Sequence, residues 1–291
     1  MTLEDGLLPK NSTANKQSKE TEERAVMDNT SNILLTNDDG INSPGLWAMA
    51  ESLTEVGQVT VVVPDRDQSG TGASMTLLKP LAIEVVESRI KRVTETYTVG
   101  GTPADCVIMA AEHLHKGRID LIVSGINQGA NLGLDVFNSG TFGAALHGYF
   151  RGIDSIAISS KYVDDVIYGP AAIVGAGLAN LLGKRNNEAP FLLNVNFPPR
   201  EIEGIKGVEL TTLGPKAYLE NVEEVKSGRR TYFWLHHNKA TGAPLEKGTD
   251  VWAINNEKVS ITVIDPYLST LNGYSRCEDF VNVAEASLGM N

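Results

Sequence analysis

Ile33-Leu34-Leu35-Thr36-Asn37-Asp38-Asp39-Gly40 is the stretch on which the reading of the fold turns. Its apolar run does not alternate with polar residues, so both faces of the segment must be covered. The run stops at once on turn-forming residues. A short, doubly apolar strand followed by a turn is the pattern of a central strand in a parallel sheet. Immediately downstream, Ser43-Pro44 offers a capping hydroxyl and a proline at the first helical position. Leu46, Met49, Ala50 and Leu53 then recur at helical spacing, and Gly57 closes the element. A second apolar strand, 59–63, is stopped by Pro64.

This strand–helix unit repeats outward along the chain. Residues 81–86 and 93–99 read as an inserted β-hairpin. Thr102-Pro103 opens a helix carrying Val107, Ile108, Ala111 and Leu114. Strands are expected at 121–124, 155–159 and 191–195, with helices over 143–150 and 171–182. The alternation predicts an α/β fold, a mostly parallel sheet with helices on both faces. Past Pro198-Pro199 strand-like runs dominate, at 208–213, 231–236, 251–254 and 259–264. They suggest a smaller C-terminal β-rich subdomain or set of arms. The expected division is therefore a flexible polar N-terminal extension over 1–30, a core over 31–200 and a β-rich part with a C-terminal segment over 201–291. A marginal helix over 19–27 is the only order expected in the extension, which lacks an apolar period.

The 291 residues suffice to bury a core without disulfide or metal staples. No apolar run approaches the ~20 residues of a membrane span, and no signal peptide is visible, so a cytoplasmic location is expected. Cys106 and Cys277 lack metal-ligand spacing, and Cys106 reads as a small core residue. A net charge of −11 argues against a nucleic-acid partner, which would need a cationic surface. It does not argue against small phosphorylated substrates, because a bound cation reverses the local field.

In open α/β sheets ligands bind beyond the carboxyl ends of the strands. Three polar loops follow such ends: Asn37-Asp38-Asp39-Gly40, Asp65-Arg66-Asp67-Gln68-Ser69-Gly70 and Gly125-Ile126-Asn127-Gln128-Gly129-Ala130-Asn131. Asp38-Asp39-Gly40 can be a plain turn. Taken alone the pair reads as that turn first; the other reading is half of a hard-cation site, since paired carboxylates with neutral oxygen donors suit Mg²⁺ or Mn²⁺. Ser69 and Asn127 would be the neutral donors; otherwise they are a loop hydroxyl and a turn residue. Two carboxylates neutralise a divalent ion, leaving the site able to accept a phosphate dianion. Ser139-Gly140-Thr141 precedes a helix and reads either as an ordinary cap or as a phosphate-binding helix N-terminus. Thr102-Pro103-Ala104-Asp105 reads as a capping box, which assigns Asp105 to structure. His113, His115, His236 and His237 have no identifiable partners and are assigned surface or core roles.

Together these strings resemble the motifs of the SurE (survival protein) nucleotidases. Leu35-Thr36-Asn37-Asp38-Asp39-Gly40 is similar to the family's opening motif, and Pro64-Asp65-Arg66-Asp67-Gln68-Ser69-Gly70 to its second. Gly101-Thr102-Pro103-Ala104-Asp105-Cys106-Val107, the string from Ser124 to Gly133, and Asn138-Ser139-Gly140-Thr141 resemble the third, fourth and fifth. Gly248-Thr249-Asp250 and Val259-Ser260-Ile261-Thr262 also fit. The resemblance runs from about residue 32 to about residue 270. It implies a Rossmann-like core and one divalent metal ion per subunit, Mg²⁺ or Mn²⁺, on Asp38, Asp39, Ser69 and Asn127. It implies hydrolysis of nucleoside monophosphates (5′-nucleotidase, with 3′-nucleotidase and exopolyphosphatase activity as extensions), and C-terminal β arms joining homodimers or homotetramers. Asn131, Ser139, Gly140 and Thr141 would then hold phosphate oxygens, and Asp38 or Asp39 would assist proton transfer. Asn138, Phe142 and His147 depart from the family's usual tyrosine, small aliphatic residue and glutamate, and all three are expected near the substrate pocket. Two other classes of function compete: a non-catalytic nucleotide-binding protein, and a phosphatase working through an aspartyl phosphate. Against the latter, the aspartates are adjacent rather than one residue apart.

Overall fold

The structure is a computed structural model that describes residues 31–116, 118–163, 165–185, 189–239, 245–267 and 278–288. The expected N-terminal extension, its marginal helix and Cys277 lie outside the described residues. β1 (Ser31–Thr36) sits in the middle of a nine-stranded sheet, between β2 (Gly57–Pro64) and β5 (Leu121–Gln128), and pairs in parallel with both. Its consecutive apolar residues divide between the two faces. Ile33 and Leu35 enter one core cluster and Leu34 the other. Residues 59, 61 and 63 of β2 and 121 and 123 of β5 join the first cluster; Val62 and Ile122 join the second. The first is covered by α1 (Pro44–Leu53) and the helix Gly169–Leu182, the second by α2 (Pro103–Met109) and α3 (Gly140–Tyr149). Each fully buried Leu, Ile or Val contributes about 1.5–3 kcal/mol relative to exposure, which is why alternation is absent from these strands.

Beyond β2 stand β4 (Glu95–Val99), parallel to β2, and β3 (Ile83–Val85), antiparallel to β4 at the sheet edge. The expected hairpin is therefore part of the main sheet. On the other side of β5 come β6 (Asp154–Ser160) and β7 (Leu192–Phe197), both parallel, followed by two strands of opposite direction. Those two are β11 (Val259–Val263) and, outermost, β8 (Val208–Thr211). So two of the strands expected after residue 200 extend the central sheet. The separate antiparallel sheet consists of β9 (Tyr218–Ser227) and β10 (Arg230–Lys239). The helix in Gly169–Leu182 is α4.

Two expectations are corrected. Residues 251–254 lie in a helix, α5 (Asp250–Asn255), with Thr249 as its N-cap accepting from the Trp252 N–H. Short apolar runs cannot be divided between strand and helix by periodicity alone. The Thr102–Asp105 capping box is present in full, and Cys106 is buried in the second core cluster, both as expected. Ser43 differs: it precedes α1 without a side-chain cap, and its hydroxyl instead reaches Asp39 at 3.4 Å. No helix among the described residues is long and apolar enough to cross a membrane. The last described element is α6 (Glu278–Ser287).

Candidate metal and phosphate site

The order β4-β2-β1-β5-β6-β7 means that the chain builds outward from β1 in one direction, then returns and builds in the other. The reversal falls between β1 and β5, where Thr36, the last residue of β1, is the register partner of Ser124. A crevice opens at such a point, and the three polar loops meet there. The loop after β2 is tied to the loop after β1, because Gln68 N–H donates to the Asp38 carbonyl at 2.8 Å. The loop at the end of β5 approaches from the other side, with Gln128 N–H 3.5 Å from Asp39 Oδ2. A register shift in β5 between Ser124 and Asn127 separates the buried strand from this loop.

The two aspartates are held differently. Asp38 is buried, and its carboxylate faces the N-terminus of α3. Thr141 donates to it twice, through its hydroxyl at 2.5 Å and its backbone N–H at 3.1 Å. Burial raises its pKa and outweighs those hydrogen bonds, which lower it. The approach is close enough to require glycine at 140, since a Cβ there would lie 2.8 Å from Asp38 Cβ. Asp39 is only partly buried and lines an open cavity of about 400 Å³. Its carboxyl is pushed up to about 6, first by burial and then by the charge of Asp38. Asp39 is thus hard to ionise beside Asp38 at the edge of a cavity, whereas the rise at Asp38 comes from burial first and, last, from the charge of Asp67.

Ser69 is exposed and lines the same cavity, as do Asp67, Gln128 and Gly129. Its loop is shaped by Asp67, which accepts the Ser69 N–H at 2.7 Å. Asn127 donates its Nδ2 to the Gly129 carbonyl at 2.8 Å, so Oδ1 is the amide atom left for another partner. The donor set of Asp38, Asp39, Ser69 and Asn127 is oxygen throughout, which fits a hard divalent cation. No group of three or more His, Cys, Asp or Glu side chains that could hold a metal ion occurs among the described residues. A cation here would thus rest on two carboxylates plus neutral oxygens.

Ser139 caps α3, accepting the Phe142 N–H at 3.1 Å. Asn131 is woven into a polar cluster: its N–H meets Asn196 Oδ1, its Nδ2 meets Ser159, and its carbonyl accepts from Asn194 and Asn196. Of the three departures, Phe142 is buried with Val136, Ala145 and Leu192, away from the cavity. His147 is likewise absent from the cavity lining. It bonds the Ala73 carbonyl at 3.2 Å under the loop that precedes β3. Asn138 is exposed, and its carbonyl accepts from Gly72 N–H.

A sequence model of the family described as Survival protein SurE matches residues 33–220. The chain belongs to the SurE family. The SurE relatives include the 5′-nucleotidase SurE of Dehalococcoides mccartyi strain CBDB1, 44% identical over 234 residues, which are 80% of this chain and 88% of that protein. The 5′-nucleotidase SurE of a Picosynechococcus species is 38% identical over 258 residues, covering 83% and 93% of the two chains. The crystal structure of the SurE protein from Aquifex aeolicus superposes with a TM-score of 0.70 at 35% identity, over 87% of this chain and 99% of that one.

Sequence reasoning passed over three residues that the SurE fold brings to the cavity. Tyr162 follows β6, Tyr218 opens β9, and Asp67 stands two positions before Ser69. Asp67 lay inside a loop already singled out, whereas no local pattern marks either tyrosine.

Proposed function

We propose that this chain is a metal-dependent phosphomonoesterase that hydrolyses nucleoside monophosphates to nucleoside and phosphate, a 5′-nucleotidase. The observation that carries the reading is the pair Asp38 and Asp39 at the chain-reversal point of the sheet, with Asp39 opening into a cavity that Ser69 shares. Asp38, Asp39, Ser69 and Asn127 would hold one divalent ion, and their hard oxygen set favours Mg²⁺ or Mn²⁺. A divalent cation there supplies Lewis-acid polarisation of the phosphoryl group.

The residues of the chain do the rest. Thr141 fixes the Asp38 carboxylate in one orientation and leaves Asp39 as the carboxylate facing the cavity. As the carboxylate that faces the cavity, Asp39 is the better placed of the two to take or return a proton. Ser139 and Gly140 at the N-terminus of α3 would hold phosphate oxygens and stabilise charge in the transition state, while Thr141 and Asn131, whose donors go to Asp38 and to Asn196 and Ser159, would shape that end of the site. Activity on 3′-nucleotides and polyphosphate would use the same phosphate end. We also assign the protein to the cytoplasm and to homodimers or homotetramers. The β9–β10 hairpin, with exposed Phe233, Trp234 and Leu235, and α6, with exposed Phe280 and Val283, would be the joining arms.

The test is phosphate release from a panel of nucleoside 5′- and 3′-monophosphates and polyphosphate, with Mg²⁺, Mn²⁺ or chelator. Metal-dependent turnover is expected, and Asp39→Asn should lose on the order of 10²-fold or more of kcat while remaining folded. No release from any nucleoside monophosphate with either metal would refute the reading, as would unaltered turnover in Asp39→Asn.

A further inference from the structure

The cavity lined by Asp39 and Ser69 is lined also by two tyrosines, Tyr162 and Tyr218. They arrive from distant parts of the chain. Tyr162 lies in the loop beyond the carboxyl end of β6. From β1 through β5 to β6 is two strand spacings, about 10 Å across the sheet, which leaves room for a sugar between the carboxylates and the ring. Tyr162 is 53% exposed, an aromatic surface with little of its own to cover it. Tyr218 comes from the root of the β9–β10 hairpin.

That root is fixed with unusual thoroughness for a segment leading into an exposed hairpin. Asp135, buried in the turn between β5 and α3, accepts the backbone N–H groups of Ala217 and Tyr218 through Oδ2, at 2.7 and 3.0 Å. Asp250, fully buried at the start of α5, accepts Gly133 N–H at 2.7 Å and Gly214 N–H at 2.8 Å. Gly133 has φ +56, and a Cβ there would lie 2.0 Å from the Pro215 carbonyl oxygen, so the two segments touch through bare backbone. Two buried carboxylates thus hold Tyr218 at the cavity while the strands beyond it stand in solvent.

We propose that Tyr162 and Tyr218 form the nucleobase subsite, receiving the base between or against their rings while the phosphate lies at the Asp39 end. This rests on the nucleotidase reading and goes beyond it by naming what selects a nucleoside. Stacking on aromatic faces is tolerant of base identity, because every base has a π-face. Among the described residues that line the cavity, Gln128 alone offers an amide donor and an amide acceptor together to a base edge. The subsite therefore accepts all bases and favours purines through their larger stacking area.

The test compares AMP, CMP and ribose 5-phosphate, which keeps the sugar phosphate and lacks the base. Variants are Tyr162→Leu and Tyr218→Leu, with Tyr162→Phe and Tyr218→Phe retaining the ring. Each Leu variant is expected to raise KM for AMP on the order of ten- to a hundred-fold, with kcat changing far less. The rise for AMP should exceed that for CMP and greatly exceed that for ribose 5-phosphate, and the Phe variants should stay close to wild type. Equal losses on AMP and ribose 5-phosphate, or unaltered AMP kinetics in both Leu variants, overturn the subsite. Adenosine binding to the Mn²⁺-loaded protein, measured by calorimetry, separates the two readings. If wild type releases no phosphate, the nucleotidase reading fails, yet weakened adenosine binding in the Leu variants still supports the subsite and equal binding overturns it.

Discussion

Gly140→Ala is the perturbation that probes the site most directly with the fewest atoms. The added methyl would stand 2.8 Å from Asp38 Cβ, 3.0 Å from Asp38 Oδ2 and 3.2 Å from the Gln68 carbonyl oxygen. Carbon contacts settle at about 3.5–4.0 Å, so on the order of 1 Å must be found. The backbone of Asp38 cannot yield easily, because β1 is packed on both faces and the Asp38 carbonyl is bonded by Gln68. The displacement therefore falls on the Asp38 carboxylate and its two bonds to Thr141. Two terms oppose each other in stability. Overpacking costs about 1–3 kcal/mol, while replacing glycine by alanine in a helix returns up to ~1 kcal/mol. The net destabilisation is then about 0–3 kcal/mol, and the melting temperature alone would be an ambiguous readout. Activity is the sharper one, since moving a catalytic group by ~1 Å costs on the order of 10²-fold. We expect Gly140→Ala to remain folded, to bind Mn²⁺ more weakly by calorimetry and to lose ~10²-fold in kcat/KM for AMP. Gly177→Ala is the matched control: the residue is exposed on α4 with nothing within 4 Å of a Cβ. It should be neutral or stabilising by about 0.5–1 kcal/mol. A Gly140→Ala protein with metal affinity and kcat/KM within about threefold of wild type would show that the close approach of α3 to Asp38 is not what positions the site.

Two further outcomes follow from the buried carboxylates. Asp39 titrates at about 6 in the folded chain, raised first by burial, so the native state holds that proton more tightly than the unfolded state does. The metal-free protein should accordingly lose stability as pH rises from about 4 to about 6, by at most about 3 kcal/mol from this group. The stabilisation conferred by Mn²⁺ should grow over the same interval, because the ion needs the deprotonated form. Thermal melts of wild type and Asp39→Asn with and without Mn²⁺ read this as a difference; parallel pH profiles in the two proteins would contradict it. Asp250→Asn replaces a carboxylate that accepts Gly133, Gly214 and Val251 N–H groups by an amide with a single acceptor atom. It should cost about 3 kcal/mol and raise hydrogen exchange at residues 214–218. Unchanged protection there would show that the carboxylate does not hold the hairpin root.

The local elements were legible because each is dictated by residues close together in the chain. The stretch 33–40 is a strand and a turn whatever surrounds it, and Thr102-Pro103-Ala104-Asp105 forms its capping box from within four residues. The misread segment, 251–254, failed for a reason of length: an apolar run that short satisfies both strand and helix, and the choice was made by the Thr249 cap and by packing of α5. β9 was not foreseen because residues 218–227 are rich in charge, and its pairing partner, β10, follows only after the Gly228 turn.

For the candidate site the division is the same. Sequence alone named Asp38, Asp39, Ser69 and Asn127, because carboxylate and neutral oxygen donors at strand ends carry their chemistry in their identity. It could not say that Asp38 turns inward to Thr141 while Asp39 faces the cavity, since the difference arises from α3 meeting β1 across about 100 residues of chain. Nor could it bring Tyr162 and Tyr218 to one cavity. Side-chain type is a local property, readable one residue at a time; which atoms share a space is set by the order of strands in the sheet and by the two buried aspartates that fix the hairpin root, and those exist only once the chain has folded.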